Sequence, residues 1–190
     1  MKRVKIYLGL VHYPVRNKRA ETITSSVTNL DIHDIARACQ TYGVERYMIV
    51  TPVKAQHRLL GNILGHWREE KNEAYNPDRA RALSIVSLSP SWEKALEEIE
   101  ALEGTRPLVA VTGARFGDHD GGCGSLVEKL CIDNRPLFIL FGTGYGLGQE
   151  VVDGADFRLA PLLGHGKGGY NHLSVRSAVS IYLDRLRSEG

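Results

Sequence analysis

An α/β architecture is predicted, with a mostly parallel sheet covered by helices on both faces. Three observations predict it. Short apolar runs and helical stripes alternate along the whole chain. The clearest run, Pro136-Leu137-Phe138-Ile139-Leu140-Phe141, is continuously apolar, as a strand buried on both faces is. Glycine-rich stretches follow the later runs, where a chain turns from strand to helix.

Taken in order, residues 4–11 read as the first strand, apolar apart from Lys5. Residues 12–30 are polar and rich in Thr and Ser, a connection of a length that is more often functional than idle. Ile32, Ile35, Ala36 and Cys39 recur at helical spacing, with Gly43 as the stop. Asp31 is placed as the cap of that helix with Asp34 as its partner, and Leu30 and Ile35 fall at staple positions. Residues 46–51 give a second strand ended by Pro52. Leu59, Leu60, Ile63, Leu64 and Trp67 mark a helix within residues 54–73, with His57 and His66 at its surface.

Residues 83–88 are predicted as a third strand. Ser89-Pro90-Ser91 then opens a helix with Trp92, Ala95, Leu96 and Ile99 inward and Glu93, Glu97, Glu98 and Glu100 outward. Residues 108–111 form a fourth strand, and Leu126, Val127, Leu130 and Cys131 a helix before the fifth strand at 136–141. A sixth strand is assigned to residues 157–162. The last helix carries Val175, Val179, Tyr182 and Leu186 on one stripe and Leu173, Ala178, Ile181 and Leu183 beside it, wider than one sheet face covers. No repeat or linker divides the chain, so residues 1–190 are read as one domain.

Hydrophobic residues make up 43% and charged residues 24%, a globular composition. No apolar run approaches the roughly 20 residues of a membrane helix. The basic start, Met1-Lys2-Arg3-Val4-Lys5, leads into a strand rather than a secretory signal. Cys39, Cys123 and Cys131 cannot all pair and lack metal-ligand spacing, which suits free thiols in a reducing cytoplasm. The net charge of +2 is too small to argue for nucleic acid. Its distribution says more: Arg16, Lys18 and Arg19 crowd one loop, Arg115, Arg158, Lys167 and Arg176 lie in or near glycine-rich segments, and acidic residues concentrate between 93 and 103. Chance clustering on a solvated surface is the alternative reading.

In a parallel sheet ligands bind beyond the carboxyl ends of the strands. Three loops open there: Thr112-Gly113-Ala114, Gly142-Thr143-Gly144-Tyr145-Gly146-Leu147-Gly148, and residues 161–171 with Gly164-His165-Gly166-Lys167-Gly168-Gly169. The second does not fit G-x-G-x-x-G, has no P-loop Lys-Ser/Thr pair, and is not followed by an acidic residue about 20 positions on. A nicotinamide enzyme is therefore disfavoured. Tight turns needing positive φ account for one or two of its four glycines. Asp118-His119-Asp120 with Cys123 reads as a mobile solvated loop, and no metal site is expected.

Phe141-Gly142-Thr143-Gly144-Tyr145-Gly146-Leu147, Leu159-Ala160-Pro161-Leu162 and Asn171-His172-Leu173-Ser174-Val175-Arg176-Ser177-Ala178 resemble the cofactor half of SPOUT methyltransferases. The likeness runs from Leu10-Val11-His12-Tyr13-Pro14 through Asp184-Arg185-Leu186 and is nearest to a small bacterial group of S-adenosylmethionine-dependent RNA methyltransferases. It implies a SPOUT fold with a C-terminal trefoil knot, an exception to the usual rule of unknotted chains. It also implies S-adenosylmethionine held by main-chain groups and apolar walls from Thr112, Gly113, Ala114, Gly142, Thr143, Gly144, Gly146, Leu147, Leu159, Pro161, Leu162, Asn171, His172, Leu173 and Ser174.

Asp31-Ile32-His33-Asp34-Ile35-Ala36-Arg37 is similar to the first motif of the ribose 2′-O branch, which makes Arg37 the implied catalytic residue, orienting an RNA phosphate or favouring an alkoxide. Asp31 stands where that branch usually has Asn, and the glycine loop lacks the branch's acidic residue, so base methylation stays open beside ribose methylation. A surface ion pair with Asp34 or Asp31 is the structural alternative for Arg37. The resemblance further implies RNA contacts from Arg16, Lys18, Arg19, Arg115 and Lys167, a homodimer through the terminal helix, and a cytoplasmic enzyme acting on tRNA or rRNA. A non-catalytic knotted protein that binds RNA or assists assembly is the other function weighed.

Overall fold

In a computed structural model that describes residues 4–188, the apolar runs pair into a single six-stranded sheet, and every pairing is parallel. The basic Met1-Lys2-Arg3 lies outside the described residues. The sheet strands are β1 (Ile6–Val11), β4 (Arg46–Val50), β5 (Val86–Ser89), β6 (Leu108–Val111), β7 (Leu137–Gly142) and β8 (Phe157–Arg158). Between the first two, β2 (Val15–Arg16) and β3 (Thr22–Ile23) make a small hairpin within the long connection. The helices are α1 (Asn29–Thr41), α2 (Lys54–Trp67), α3 (Glu70–Tyr75), α4 (Pro77–Ser84), α5 (Trp92–Glu103), α6 (Cys123–Asp133), α7 (Gln149–Asp153) and α8 (Val175–Ser188).

The strand order is β5-β4-β1-β7-β6-β8. The chain builds outward from β1 to β5, then crosses back and inserts β7 beside β1, so the order reverses between β1 and β7. All six residues of β1 are buried, with Ile6, Leu8 and Leu10 in one apolar layer and Tyr7 and Val11 in the other. Gly9 is required in that strand: a Cβ there would stand 2.5 Å from Leu140 Cδ2 and 3.0 Å from the Phe138 ring. The first layer packs against α1, α2, α4, α6 and α8, and the second against α5 and α7.

Several boundaries differ from the sequence reading. α2 ends at Trp67, inside the span assigned to it from sequence, whereas α4 occupies residues assigned to the loop and the third strand. Asn76-Pro77 is a start signal: Asn76 Oδ1 accepts from Arg79 N at 3.0 Å and Pro77 takes the first turn. Ala82 and Leu83 are then buried as helix residues, and the strand begins only at Val86. The sixth strand is two residues long, because after Leu159 N donates to Val111 O the chain reaches Pro161, which has no N–H to continue a ladder. The cap of α1 is Thr28, not Asp31. Thr28 Oγ1 accepts from Asp31 N at 3.2 Å and donates to Asp31 Oδ2 at 2.6 Å, so Asp31 is the inner partner of a reciprocal cap.

Asp31 also reaches across the molecule. Its Oδ1 accepts from an Arg176 guanidinium nitrogen at 2.8 Å, and Arg176 Nε lies 3.4 Å from Asp34 Oδ2. Both aspartates therefore pair with Arg176 at the start of α8, not with Arg37. At the other end of α8, Arg187 donates to the carbonyls of Val4, Tyr42 and Gly43 at 2.7–2.9 Å, satisfying acceptors just past α1.

Beyond β1, His12 is fully buried and leads a chain of hydrogen bonds across the switch point. Its Nδ1 lies 3.0 Å from Ser25 Oγ, and Ser25 Oγ lies 2.5 Å from Thr143 Oγ1. Thr143 Oγ1 lies 3.2 Å from Val11 O. Either hydroxyl can donate in the Ser25–Thr143 bond, and Ser25 Oγ also lies 3.4 Å from His12 O, so the His12 tautomer follows the direction of the chain. Nε2 is buried without a protein partner among the described residues. Burial holds the His12 pKa down at about 4, against a smaller opposing pull from Asp31.

Two outcomes are expected in urea unfolding. Asp31→Ala and Arg176→Ala should each cost about 1–3 kcal/mol, with a coupling energy above 0.5 kcal/mol in the double variant; simple additivity would contradict the cross-link. The His12 imidazole binds its proton more weakly folded than unfolded, so the unfolded state takes up more protons as pH falls below about 6.5. Stability should be full near pH 7 and fall by roughly 2 kcal/mol by pH 5. His12→Gln should lose much of that slope, the remainder including His33, whose pKa is also lowered, mainly by burial.

Candidate functional site

A cleft of about 880 Å³ opens at the carboxyl rim of the sheet, over the reversal between β1 and β7 and across the end of β6. Four stretches line it: residues 25–31 behind the hairpin, 112–118 after β6, 141–149 after β7, and 162–182 leading into and along α8.

The glycine loop after β7 is braced by the hairpin. Tyr145 N donates to Arg16 O, Arg16 N to Gly146 O and Gly148 N to Pro14 O, each at 2.9 Å. Gly144 and Gly146 adopt φ of 61° and 109°, and a Cβ on Gly142 would stand 2.6 Å from Leu147 N. Chain geometry thus accounts for three of the four glycines without a ligand, more than the one or two the sequence reading allowed. The floor exposes the Ser25 and Thr143 hydroxyls, and a hydroxyl oxygen carries lone pairs that can accept from a ligand while it bonds along the His12 chain.

One wall is apolar: Phe141, Leu162, Val175, Ala178 and Tyr182. The Phe141 and Tyr182 rings meet edge-on at 5.9 Å, and Tyr182 Oη donates to Ala160 O at 2.8 Å, anchoring α8 to the segment after β8. Asn171 closes the third loop on itself, donating to Leu162 O at 2.7 Å and accepting from Gly164 N at 3.2 Å. Its side chain is spent inside the loop, which leaves the main chain to face the cleft. Cations gather at the mouth. The Arg115 guanidinium sits 5.6 Å over the Tyr145 ring, Arg16 donates to Gln149 Oε1 at 2.5 Å, and Arg158 pairs with Asp118 and Asp153. Asp120 is not part of a free loop: it accepts from Arg158 N at 2.6 Å and its own N donates to Arg158 O at 2.9 Å, tying this stretch to β8.

The cleft brings together Thr112, Gly113, Ala114, Gly142, Thr143, Gly144, Gly146, Leu147, Leu162, Asn171, His172, Leu173 and Ser174, as the sequence suggested. It does not include Leu159 or Pro161. Leu159 is wholly buried in the apolar layer beneath, bridged to Gly121, and Pro161 follows it out of the sheet. Arg37 is exposed on α1 and is absent from the lining. Arg16 and Arg115 line the mouth, whereas Lys18 and Arg19 at the hairpin turn and Lys167 in a 3₁₀ turn are exposed outside it. Sequence reasoning did not name several lining residues, among them Ser25, Asp31, Phe141, Val175, Ala178 and Tyr182. The long polar connection was the only signal for Ser25; Asp31 and Phe141 stood in the motifs that carry the resemblance but were otherwise read as cap and strand, and Val175, Ala178 and Tyr182 as stripes of the last helix.

The arrangement suits S-adenosylmethionine. Its volume lies within the roughly 300–1,000 Å³ range of small-molecule sites. An apolar wall faces hydroxyl acceptors and glycine-rich main chain, and the loop lacks the phosphate-gripping pattern of a dinucleotide site. His12 stays neutral near pH 7, so it adds no positive charge beneath a sulfonium.

Comparison with known proteins agrees with this geometry. A family model described as SAM-dependent RNA methyltransferase matches residues 5–188. A protein of Oleidesulfovibrio alaskensis named tRNA (guanine-N(1)-)-methyltransferase is 43% identical over 181 residues, covering 95% of this chain and 41% of that one. The chain thus spans less than half of that relative. An Aquifex aeolicus protein is 36% identical over 183 residues, covering 96% of this chain and 88% of that one. Among solved structures, the SpoU methyltransferase AviRb of Streptomyces viridochromogenes in complex with AdoMet aligns with a TM-score of 0.60 at 13% identity, over 100% of this chain and 59% of that one. The TrmH/SpoU tRNA modifying enzyme of A. aeolicus aligns with a TM-score of 0.59 at 13% identity, over 98% and 76%. At such identities these structures speak for the shared SPOUT fold. With the match spanning nearly every residue, the chain belongs to the SAM-dependent RNA methyltransferase family.

Proposed function

We propose that the cleft at the β1/β7 reversal binds S-adenosylmethionine and that this chain directs methyl transfer to a nucleotide of tRNA or rRNA. The single observation carrying the reading is the convergence of the loops after β6, β7 and β8 on one cavity with an apolar wall. The bound cofactor supplies a methyl group on a sulfonium, an electrophile already activated toward nitrogen or oxygen. The protein's part is placement. Phe141, Leu162, Val175 and Tyr182 exclude water from one side, and the Ser25 and Thr143 lone pairs receive donors on the other. Arg16 and Arg115 present guanidinium groups to RNA phosphates at the mouth. The relatives whose names cite guanine N1 are proteins of which this chain spans 41%, so the acceptor atom is not carried over.

Arg37 remains the proposed catalytic residue, orienting an RNA phosphate from the exposed face of α1 outside the cleft, with Lys18, Arg19 and Lys167 as further RNA contacts. The likeness to SpoU folds supports the trefoil knot in the C-terminal segment. A homodimer through α8 is supported by the exposed Leu163, Tyr170 and Leu173 around a notch of about 220 Å³ that also includes Ile181 and Arg185 of that helix. Free Cys39, Cys123 and Cys131 support a reducing compartment, and the cytoplasm is the proposed location. Among the described residues no helix is long and apolar enough to cross a membrane.

Incubation with labelled S-adenosylmethionine and RNA from cells lacking the protein should put label into one nucleoside, identified by mass spectrometry. RNA retention that ignores the cofactor, with no label transferred, would favour the non-catalytic alternative. Ala178→Phe places a ring in the cleft and should weaken S-adenosylmethionine binding at least tenfold by calorimetry, roughly the 1.4 kcal/mol of a lost contact set, with the thermal transition kept. Arg37→Ala should lower RNA affinity a few-fold and leave cofactor affinity unchanged; equal losses of both would indicate a packing role instead.

A further inference from the structure

We propose that the outer face of α2 is an RNA-docking surface that leads the substrate strand toward the cleft mouth, an inference that rests on the function proposed above. From Arg46 through Arg68 the sequence contains no Asp or Glu. Within that span α2 turns Leu60 and Leu64 into the core and presents Lys54 and Arg58 on its exposed side, with the exposed Arg68 at its C-cap. Among the described residues none of these three side chains has an ion pair or hydrogen bond, so their charge faces solvent unneutralised. Gly61 and Gly65 stand between them with nothing within 4 Å of where a Cβ would be, which keeps the ridge between the cations low. Past the helix end the exposed Glu69 and Glu70 bound the cationic strip, with Arg79 of α4, exposed and 4.9 Å over the Trp67 ring, as a separate cation beyond them.

The other face of the sheet has the opposite sign. α5 carries Glu93, Glu97, Glu98, Glu100 and Glu103 against the single cation Lys94. A polyanion is therefore repelled from α5 and drawn to α2. The basic face also begins at the site. Gln56 in the first turn of α2 donates to Ser25 O at 3.3 Å and accepts from Val27 N at 3.0 Å, and Ser25, Ser26 and Thr28 line the cleft. Fourteen helical residues extend about 20 Å, long enough to follow several nucleotides away from the mouth.

The test is fluorescence anisotropy of unfractionated bacterial tRNA titrated across salt, with matched calorimetry for S-adenosylmethionine. The combined Lys54→Glu, Arg58→Glu, Arg68→Glu variant should weaken RNA binding at least about tenfold near 0.1 M salt and lower the slope of log K against log salt by about 2. Arg58→Glu should weaken it several-fold, whereas Lys94→Glu, an equal charge change on the opposite face, should stay within about twofold. Cofactor affinity should be the same in all variants, showing that each is folded. Equal effects of Arg58→Glu and Lys94→Glu, an unchanged salt slope in the combined variant, or a change of oligomeric state in place of RNA affinity would overturn the α2 surface and leave the proposed function standing. A wild-type protein that retains no RNA at any salt would instead overturn the proposed function.

Discussion

The central constraint is the burial of β1 on both of its faces at the point where the strand order reverses. Its six residues contact two apolar layers and pair with β4 on one side and β7 on the other, all parallel. Parallel pairing sends every strand toward the same rim. At the β1/β7 reversal the hairpin leaving β1 braces the glycine loop leaving β7, and the cleft opens beside that loop, against the loop after β6 and the start of α8. Gly9 belongs to the same constraint, because a Cβ there would collide with the Leu140 and Phe138 side chains of β7.

A second requirement follows from the cleft's position at a rim: something has to wall it. α8 does so from the far end of the sequence. Arg187 fastens its last turn beneath α1, Arg176 fastens its first turn to Asp31 and Asp34, and Tyr182 fastens its middle to Ala160. With both ends held, Val175, Ala178 and Tyr182 are fixed opposite the hydroxyl floor. The His12 chain ties the floor together in turn, linking Ser25 and Thr143 to each other, to the His12 ring and to the Val11 and His12 carbonyls. Placement of ligand-facing groups by packing and directed hydrogen bonds is what a site requires when its ligand offers no phosphate to grip.

What could be read from sequence was what local pattern records. The parallel sheet, the buried β7, the acidic face of α5 and the three rim loops all follow from runs and stripes within a few residues of one another. α4 was lost because Ala82 and Leu83 serve equally as strand or helix residues, and only the Asn76-Pro77 start decides. Asp31 was assigned a capping role that Thr28 holds, and its partner Arg176 lies 145 positions away, beyond any local signal. The resemblance placed Leu159 and Pro161 in the site beside Leu162, yet Leu159 turns into the apolar layer beneath and of the three only Leu162 lines the cleft. A motif fixes where Arg37 lies in the chain, not which way a helix turns it, and the helix turns it to solvent.

The most direct measurement is a crystal structure with S-adenosylhomocysteine, the demethylated product, which binds without turning over. The account expects the adenine against Phe141, Leu162 and Tyr182, with the loops at 112–118 and 142–147 around the remainder. A product found elsewhere on the surface, or no binding at millimolar concentration, would contradict it.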